Sequence, residues 1–332
     1  MQGIPPSTRG RTKRNVLAVT AVLAMTGISV AGCSGSASNA ESTDAAGAQQ
    51  KTLNIVVPAH AAAAPLYIAL EKGYLKEEGL DVKISPLSSL ASAFPALATG
   101  KSDVLFASIS SGAVAVANGQ KFKLIAESSV GSPGSVGVVT NDPKIKRGAD
   151  LVGKKIASPT RGGVCDLATN SVLSKQGVDT SKIQWVELPV QSSGAALERG
   201  DVDAVCAVEP AITQLKQEIG ADLVVDSQTG EFDKMPDGGY FVTEDFAKRN
   251  PQTIAAFRRA LARGVADAKA DKKALRKTIA DYSGMPTKVV NAMTLPAYVT
   301  GADPAQVQRV LDMLKDAGAL PKPITGRELV VR

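Results

Sequence analysis

Few residues of this chain have the chemistry for catalysis or for metal binding. The sequence contains one histidine, His60, and three cysteines. It lacks the motifs H-E-x-x-H, C-x-x-C, G-x-x-x-x-G-K-[ST], G-x-G-x-x-G and G-x-S-x-G, which disfavours zinc proteases, P-loop enzymes, dinucleotide enzymes and serine hydrolases. We therefore expect a binding protein that is not an enzyme and uses neither a metal nor a cofactor.

A glycine-rich turn is the best candidate for binding an anion. Thr160-Arg161-Gly162-Gly163 precedes a predicted helix at about 164–175. The free N–H groups and the positive dipole end at a helix N-terminus attract anions. Arg161 could add a fork of donors for a carboxylate, sulfonate or phosphate, although a solvated arginine on a tight turn fits the same pattern.

Two further polar residues lie at predicted strand ends, where α/β proteins bind their ligands. His60 follows the predicted strand 53–57 and is expected to be a turn residue that can touch a ligand. A carboxylate at Glu209 would repel a sulfonate and suits an amine or a hydroxyl donor. It could equally cap the helix that follows Pro210.

A duplicated stretch predicts how these turns are positioned. Ala96-Leu-Ala-Thr-Gly100-Lys-Ser-Asp103 recurs one hundred positions later as Ala196-Leu-Glu-Arg-Gly200-Asp-Val-Asp203. Each copy predicts a helix end, a left-handed glycine, an acidic turn and a short apolar strand. This order is also common in unrelated α/β proteins. Two such units nevertheless suggest two lobes that face each other.

The N-terminal residues predict export. Basic residues up to Arg14 precede an apolar run, Val16 to Ala31, that is too short and too rich in small polar residues for a good membrane span. The end of this run resembles the bacterial lipobox, with Cys33 as the lipidated residue; ordinary signal cleavage beside an incidental cysteine is the alternative. We expect a signal peptide at 1–32 and a flexible, lipid-anchored linker at 33–52.

Charge and cysteine content agree with an extracytoplasmic α/β protein. The net charge of the chain is +6, but four basic residues precede Cys33, so about +2 remains, which is too little to indicate nucleic-acid binding. With Cys33 assigned to lipid, Cys165 and Cys206 remain. A pair of cysteines outside the cell suggests a disulfide, with two buried thiols as the alternative.

Four motifs resemble the solute-binding lipoproteins of ABC importers, in the subgroup for sulfonates, taurine, nitrate and thiamine-pyrimidine precursors. They occupy 73–82, 96–103, 150–156 and 196–204, and the last is followed by Glu209-Pro210. The resemblance covers about 53–318. It implies a two-lobed type II periplasmic-binding fold, with mixed sheets flanked by helices and a ligand cleft between the lobes. Lobe 1 would comprise 53–140 and 241–332, and lobe 2 would comprise 141–240.

The resemblance also implies which loops touch the ligand. The candidate residues are Ala59, His60, Ser88, Ser89, Ser108, Ser110, Ser111, Thr160, Arg161, Gly162, Gly163 and Glu209. The residue before Glu209-Pro210, often a tryptophan in the family, is Val208 here. Because valine has no ring, we expect no aromatic stacking of this position against a flat ligand.

The expected function is capture of a small, sulfonate-like anionic solute and its delivery to a membrane permease driven by a cytoplasmic ATPase. The protein would be a monomer, held by its lipid alone at the outer face of a bacterial cell membrane. The alternative is a thiamine-related pyrimidine-precursor binder, or a pyrimidine synthase on the same fold that uses His60. The cysteine-rich motif of those cytosolic enzymes is missing. A surface sensor on the binding fold is a third hypothesis.

Overall fold

Two mixed β-sheets organise the part of the chain that the structure describes. The structure is a computed structural model and describes residues 49–331 apart from 160, 162 and 163. The predicted signal peptide, Cys33 and most of the predicted linker lie outside these residues. The strands are β1 (Thr52–Val57), β2 (Asp81–Pro86), β3 (Val104–Ser108), β4 (Phe122–Val130), β5 (Val136–Thr140), β6 (Lys155–Ser158), β7 (Gln184–Glu187), β8 (Ala204–Val208), β9 (Asp222–Asp226), β10 (Pro236–Thr243) and β11 (Ala297–Tyr298).

The strand order shows that both sheets contain the same arrangement of four strands. The larger sheet has the order β11-β4-β10-β3-β1-β2, and the smaller sheet has the order β7-β6-β8-β5-β9. β1 pairs in parallel with β2 and β3, as β6 does with β7 and β8. One antiparallel strand completes each group of four: β10 pairs with β3, and β5 pairs with β8. The predicted α/β class with mixed sheets is confirmed.

Helices connect and cover these strands. Because helices shield the sheets from water, central strands such as β3 read as continuous apolar runs rather than as alternating ones. The α-helices of the described residues are α1 (Ala64–Glu71), α2 (Tyr74–Glu77), α3 (Leu90–Ala98), α4 (Ile109–Ala117), α5 (Val164–Lys175), α6 (Val190–Glu198), α7 (Ala211–Ile219), α8 (Glu244–Arg249), α9 (Pro251–Ala270), α10 (Lys272–Ser283), α11 (Thr287–Ala292), α12 (Pro304–Asp316) and α13 (Gly326–Leu329).

Both copies of the duplicated stretch fold as the pattern predicts. α3 is followed by Gly100 at φ 72° and then by β3, and α6 is followed by Gly200 at φ 75° and then by β8. A side chain at either glycine would strain the backbone, because L-residues rarely adopt this left-handed conformation. The two strands therefore leave their helices in the same way and occupy the same place in the two sheets.

The chain passes between the sheets twice, at 131–135 and at 227–235. β5 pairs with β8 and β9 in the smaller sheet, whereas the boundary predicted at 140 placed it in lobe 1. Its residues are buried throughout, so its pattern suits a central strand of either sheet and could not indicate which one. The boundary predicted at 240 falls inside β10. The lobe boundaries stay a prediction.

The C-terminal helices begin on the larger sheet. Phe257 and Leu261 of α9 are buried, and Gly264 packs so closely on α1 that a Cβ atom there would lie 2.1 Å from the Pro65 oxygen. Gln49, placed in the linker by the sequence analysis, accepts hydrogen bonds from the first backbone N–H groups of α9. Among the described residues, no helix combines the length and apolar character needed to cross a bilayer.

Candidate ligand-binding site

A cavity of about 150 Å³ lies between the two sheets. Its wall is formed by the turn after β1, the ends of β4 and β8, the start of β5, part of β10 and the segments after β9 and before β11. Ligands of α/β proteins bind in crevices at strand ends, and a concave site that polar groups enter from several elements is the usual form of a small-molecule site. We therefore take this cavity as the candidate site.

The turn that carries His60 is held in place by three hydroxyl groups. The Oη of Tyr282 donates a hydrogen bond to the carbonyl oxygen of residue 60 at 2.7 Å, and the Oη of Tyr298 donates to that of residue 61 at 2.9 Å. The Oγ of Ser128 donates to the oxygen of residue 62. Because these donors come from α10, β11 and β4, the turn is rigidly positioned at the cavity wall.

His60 presents a neutral imidazole to the cavity. Its ring packs edge-on against Phe106, with 5.5 Å between the ring centroids. The side chain is half-buried, and desolvation by the surrounding protein lowers the pKa of His60 to about 4. At pH 7 the ring therefore offers one donor and one acceptor but no charge.

Glu209 bridges two parts of the molecule. Its carboxylate accepts hydrogen bonds from the backbone N–H of Thr213 at 3.1 Å and from the Thr213 hydroxyl at 2.9 Å, and so caps α7. It also accepts from the backbone N–H of Thr294 at 3.0 Å, in the segment between α11 and β11. The capping role considered for Glu209 is what the structure shows, and a role in ligand contact stays a prediction.

Asp237 and Gln228 also border the cavity, and the sequence analysis missed both. Asp237 is an exposed residue whose side chain has no hydrogen bond or ion pair with another described residue. Desolvation by the surrounding protein raises the pKa of its carboxyl. The Gln228 side chain is 6% exposed, and its Oε1 has no hydrogen-bond partner among the described residues. Asp237-Gly-Gly inside a strand was the available signal, since strand glycines often mark a close approach.

Most of the other predicted residues lie away from the cavity wall. Ser89 accepts from the backbone N–H of Ser92 and caps α3, and Ser108 accepts from that of Ser111 and caps α4. Three neighbouring serines of these turns do not border the cavity either: Ser88, Ser110 and Ser111. The exposed Ala59 also lies outside its wall. Of the predicted set, the described residues that line the cavity are His60 and Glu209.

The predicted anion site is only partly within the described residues, because Thr160, Gly162 and Gly163 fall outside them. Arg161 donates through Nη1 to the carbonyl oxygen of Trp185 at 2.5 Å, and its Nε lies 3.6 Å from a carboxylate oxygen of Asp166. Asp166 also places a negative charge in the first turn of α5, where an anion would have to bind. Arg161 is therefore engaged by the protein itself.

Cys165 and Cys206 form a disulfide, with 5.9 Å between their Cα atoms. Both residues are buried. The bond joins the first turn of α5 to β8, three residues before Glu209. No group of three or more histidine, cysteine, aspartate or glutamate residues in the described part of the chain is placed to hold a metal ion.

A larger groove of about 420 Å³ lies between α5 and α12 and is lined by residues such as Leu167, Phe232 and Met313. No residue of the predicted set borders it. Its arginine, Arg309, donates to the backbone oxygens of Glu231 and Asp233 at 2.6 and 2.9 Å and thus anchors the second crossing segment. The groove also carries charged side chains, among them Glu231 and Asp312, but it lies away from the strand ends at which both sheets meet the cavity.

Comparison of the sequence with known proteins identifies a family and a relative. The profile of the family described as NMT1/THI5 like matches residues 60–274. The taurine-binding periplasmic protein of Escherichia coli (strain K12) is 27% identical over 210 residues, which are 63% of this chain and 64% of that protein. The match thus spans less than two thirds of the relative.

Solved structures share the fold. The alkanesulfonate-binding protein SsuA from Xanthomonas axonopodis pv. citri bound to MOPS is 21% identical with a TM-score of 0.70, covering 86% of this chain and 99% of that one. The periplasmic aliphatic sulphonate binding protein SsuA from Escherichia coli is 18% identical with a TM-score of 0.71, covering 85% and 98%. At these identities the likeness shows the periplasmic-binding fold and nothing about the ligand.

Proposed function

The chain belongs to the NMT1/THI5-like family, and we propose that it is the solute-binding component of an ABC importer. It captures a small organic solute in the cavity between the two sheets and delivers it unchanged to a permease driven by an ATPase. The observation that carries the proposal is this cavity, at the strand ends of both sheets, with His60 fixed in its wall. The protein acts as a monomer attached through Cys33 to the outer face of the membrane.

We further propose an organic sulfonate as the solute, in line with the taurine-binding and sulfonate-binding names of the similar proteins. No lysine or arginine is among the described residues that border the cavity. A sulfonate is therefore held by neutral donors, of which the His60 ring is one, rather than by an ion pair.

A second candidate is a binder of an aminopyrimidine. The observation that favours it is the pair of carboxylates at the cavity, Glu209 and Asp237, which can accept hydrogen bonds from exocyclic amino groups. The candidates share a binding role and differ in the ligand.

The test is a thermal-shift screen of the full chain against taurine, alkanesulfonates, nitrate and aminopyrimidines. A ligand at a hundred times its dissociation constant should add about 2.7 kcal/mol to the free energy of unfolding, which moves the melting temperature by several degrees. His60→Ala should lose this shift. Asp233→Asn, at an exposed position that does not border the cavity, should keep it.

The same samples test whether the protein is a receptor or an enzyme. After hours of incubation with a stabilising compound, mass spectrometry of the released material should return that compound unchanged. A converted product would contradict the receptor proposal. Absence of a thermal shift with every class of compound would contradict the proposed ligands.

A further inference from the structure

Most of the ionisable side chains at the cavity between the sheets are acidic. Among the described residues that border it, the ionisable side chains are His60, Glu209 and Asp237. His60 is neutral at pH 7, because its pKa is lowered to about 4. The two acidic side chains of the cavity wall therefore have no basic side chain of the wall beside them.

The two carboxylates differ in what they still can bind. Three donors from Thr213 and Thr294 already occupy the carboxylate oxygens of Glu209. The side chain of Asp237 has no hydrogen bond and no ion pair with another described residue, and Asp237 is exposed and borders the cavity. Water can hydrogen-bond to an exposed carboxylate, but no described residue of the cavity wall offers Asp237 a cationic donor, so such a donor would have to come from the solute.

Gln228 is a second, independent sign of a missing donor. Its side chain borders the same cavity, is 94% buried and packs against Gly131, where a Cβ atom would lie only 1.9 Å from its Oε1. Its Oε1 lacks a hydrogen-bond partner among the described residues. Buried acceptors are almost always paired, so an unpaired one beside a cavity indicates a group that arrives with the ligand.

We propose that the cavity selects solutes that carry a protonated amine, with Asp237 binding the ammonium group and Gln228 acting as a further acceptor. The inference rests on the proposed function and narrows its solute class from organic sulfonates to those with an amino group. Hydrogen bonds between an ammonium and a carboxylate are about twice as strong as neutral ones, and a cleft with little water strengthens them further. A hydroxyl group cannot replace the ammonium charge.

The test uses two solutes that differ only in this group. Isothermal titration of the full chain with taurine and with isethionate compares an ammonium with a hydroxyl group on the same two-carbon sulfonate. Taurine should bind about tenfold to a hundredfold more tightly, as expected for a charged hydrogen bond. Asp237→Asn should remove most of this preference, because the variant binds taurine more weakly. Its affinity for isethionate should change less than about threefold.

The matched control is Asp233→Asn, an exposed acid four residues earlier that does not border the cavity. It should keep the preference for taurine. If Asp237→Asn does not fold, as judged by circular dichroism and thermal unfolding, Asp237→Ser is measured in its place.

The outcomes separate the two proposals. Isethionate that binds as tightly as taurine, or a taurine preference that survives Asp237→Asn, overturns the amine inference and leaves the receptor proposal standing. If neither compound binds, and no other amine or sulfonate of the screen does, the receptor proposal fails together with the inference that rests on it.

Discussion

The two copies of the duplicated stretch start their strands with the same device. Asp103 Oδ2 accepts a hydrogen bond from the backbone N–H of Asn54 in the neighbouring β1, at 2.8 Å. Asp203 Oδ2 accepts from the backbone N–H of Lys155 in β6, also at 2.8 Å. The aspartate thus joins each strand to its parallel neighbour, which explains why it recurs at the same position of both copies.

The copies differ where their strands end. In the larger sheet, Ser108 bonds within its own turn, to Ser110 and Ser111, and caps α4. In the smaller sheet, Glu209 caps α7 and also reaches Thr294 in another part of the molecule. The comparison shows that the repeated backbone unit sets the position of a turn. A single side chain then decides whether the turn bonds only to itself or also to a distant part of the chain.

The strands themselves differ at one corresponding position. Phe106 in β3 packs against the rings of His60 and Tyr240. Cys206, one hundred positions later in β8, instead forms the disulfide with Cys165. The larger sheet therefore fixes this strand by aromatic packing, and the smaller sheet fixes it by a covalent bond.

The largest expected effect comes from removing the covalent bond. The disulfide closes a loop across a sequence separation of 41 residues, for which the loss of chain entropy in the unfolded state stabilises the fold by about 4 kcal/mol. The double variant Cys165→Ala/Cys206→Ala should lose about this much in urea unfolding. Wild-type protein under strongly reducing conditions should behave like the variant. A loss under about 1 kcal/mol would show that packing alone fixes β8.

The next effect separates the bridging turn from the local one. Glu209→Ala removes a charged acceptor of three hydrogen bonds and should lower the free energy of unfolding by about 2 to 3 kcal/mol. Ser108→Ala removes a helix cap and should cost about 1 kcal/mol. Both losses of stability are measured by chemical denaturation. Equal losses would mean that the Thr294 contact adds no stability.

The third effect concerns His60, whose ring packs against Phe106 in the larger sheet, where the smaller sheet has the disulfide of Cys206. We expect the stability of the protein to depend on pH through this histidine. The pKa of His60 is lowered from 6.5 to about 4 in the folded protein, so the unfolded chain takes up the proton first as the pH falls. The free energy of unfolding should be independent of His60 well above pH 6.5 and should decrease by about 3 kcal/mol between there and pH 4. His60→Gln should remove this decrease in urea titrations at several pH values. An unchanged profile would place the effect elsewhere.

The smallest effect tests the common device. Asp103→Ala and Asp203→Ala each remove a half-buried carboxylate that accepts a neighbouring backbone N–H and has one further side-chain partner, Asn54 or Lys154, and each should cost about 1 kcal/mol. Thermal unfolding of the two variants should give the same loss within about 0.5 kcal/mol. A clear difference would contradict the equivalence of the two copies.

Much of the fold could be predicted from local patterns. The glycine, the aspartate and the apolar run of each copy act within a few residues of one another, so their meaning does not depend on the rest of the chain. The same holds for His60, because a turn that follows a buried strand lies at the strand ends of the sheet. Two of the candidate serines, Ser89 and Ser108, cap helices, because short polar side chains at strand ends also serve as helix caps, and the contact of the serines with a ligand stays a prediction.

What the sequence by itself determined is the α/β class, the duplicated unit, the family and the turn that carries His60. Only the tertiary structure decided that Asp237 and Gln228 border the same cavity as His60, and that Glu209 reaches Thr294. The physical reason is distance along the chain. Groups that converge from residues 60, 209, 228, 237 and 294 share no local pattern, and their approach depends on how the two sheets pack.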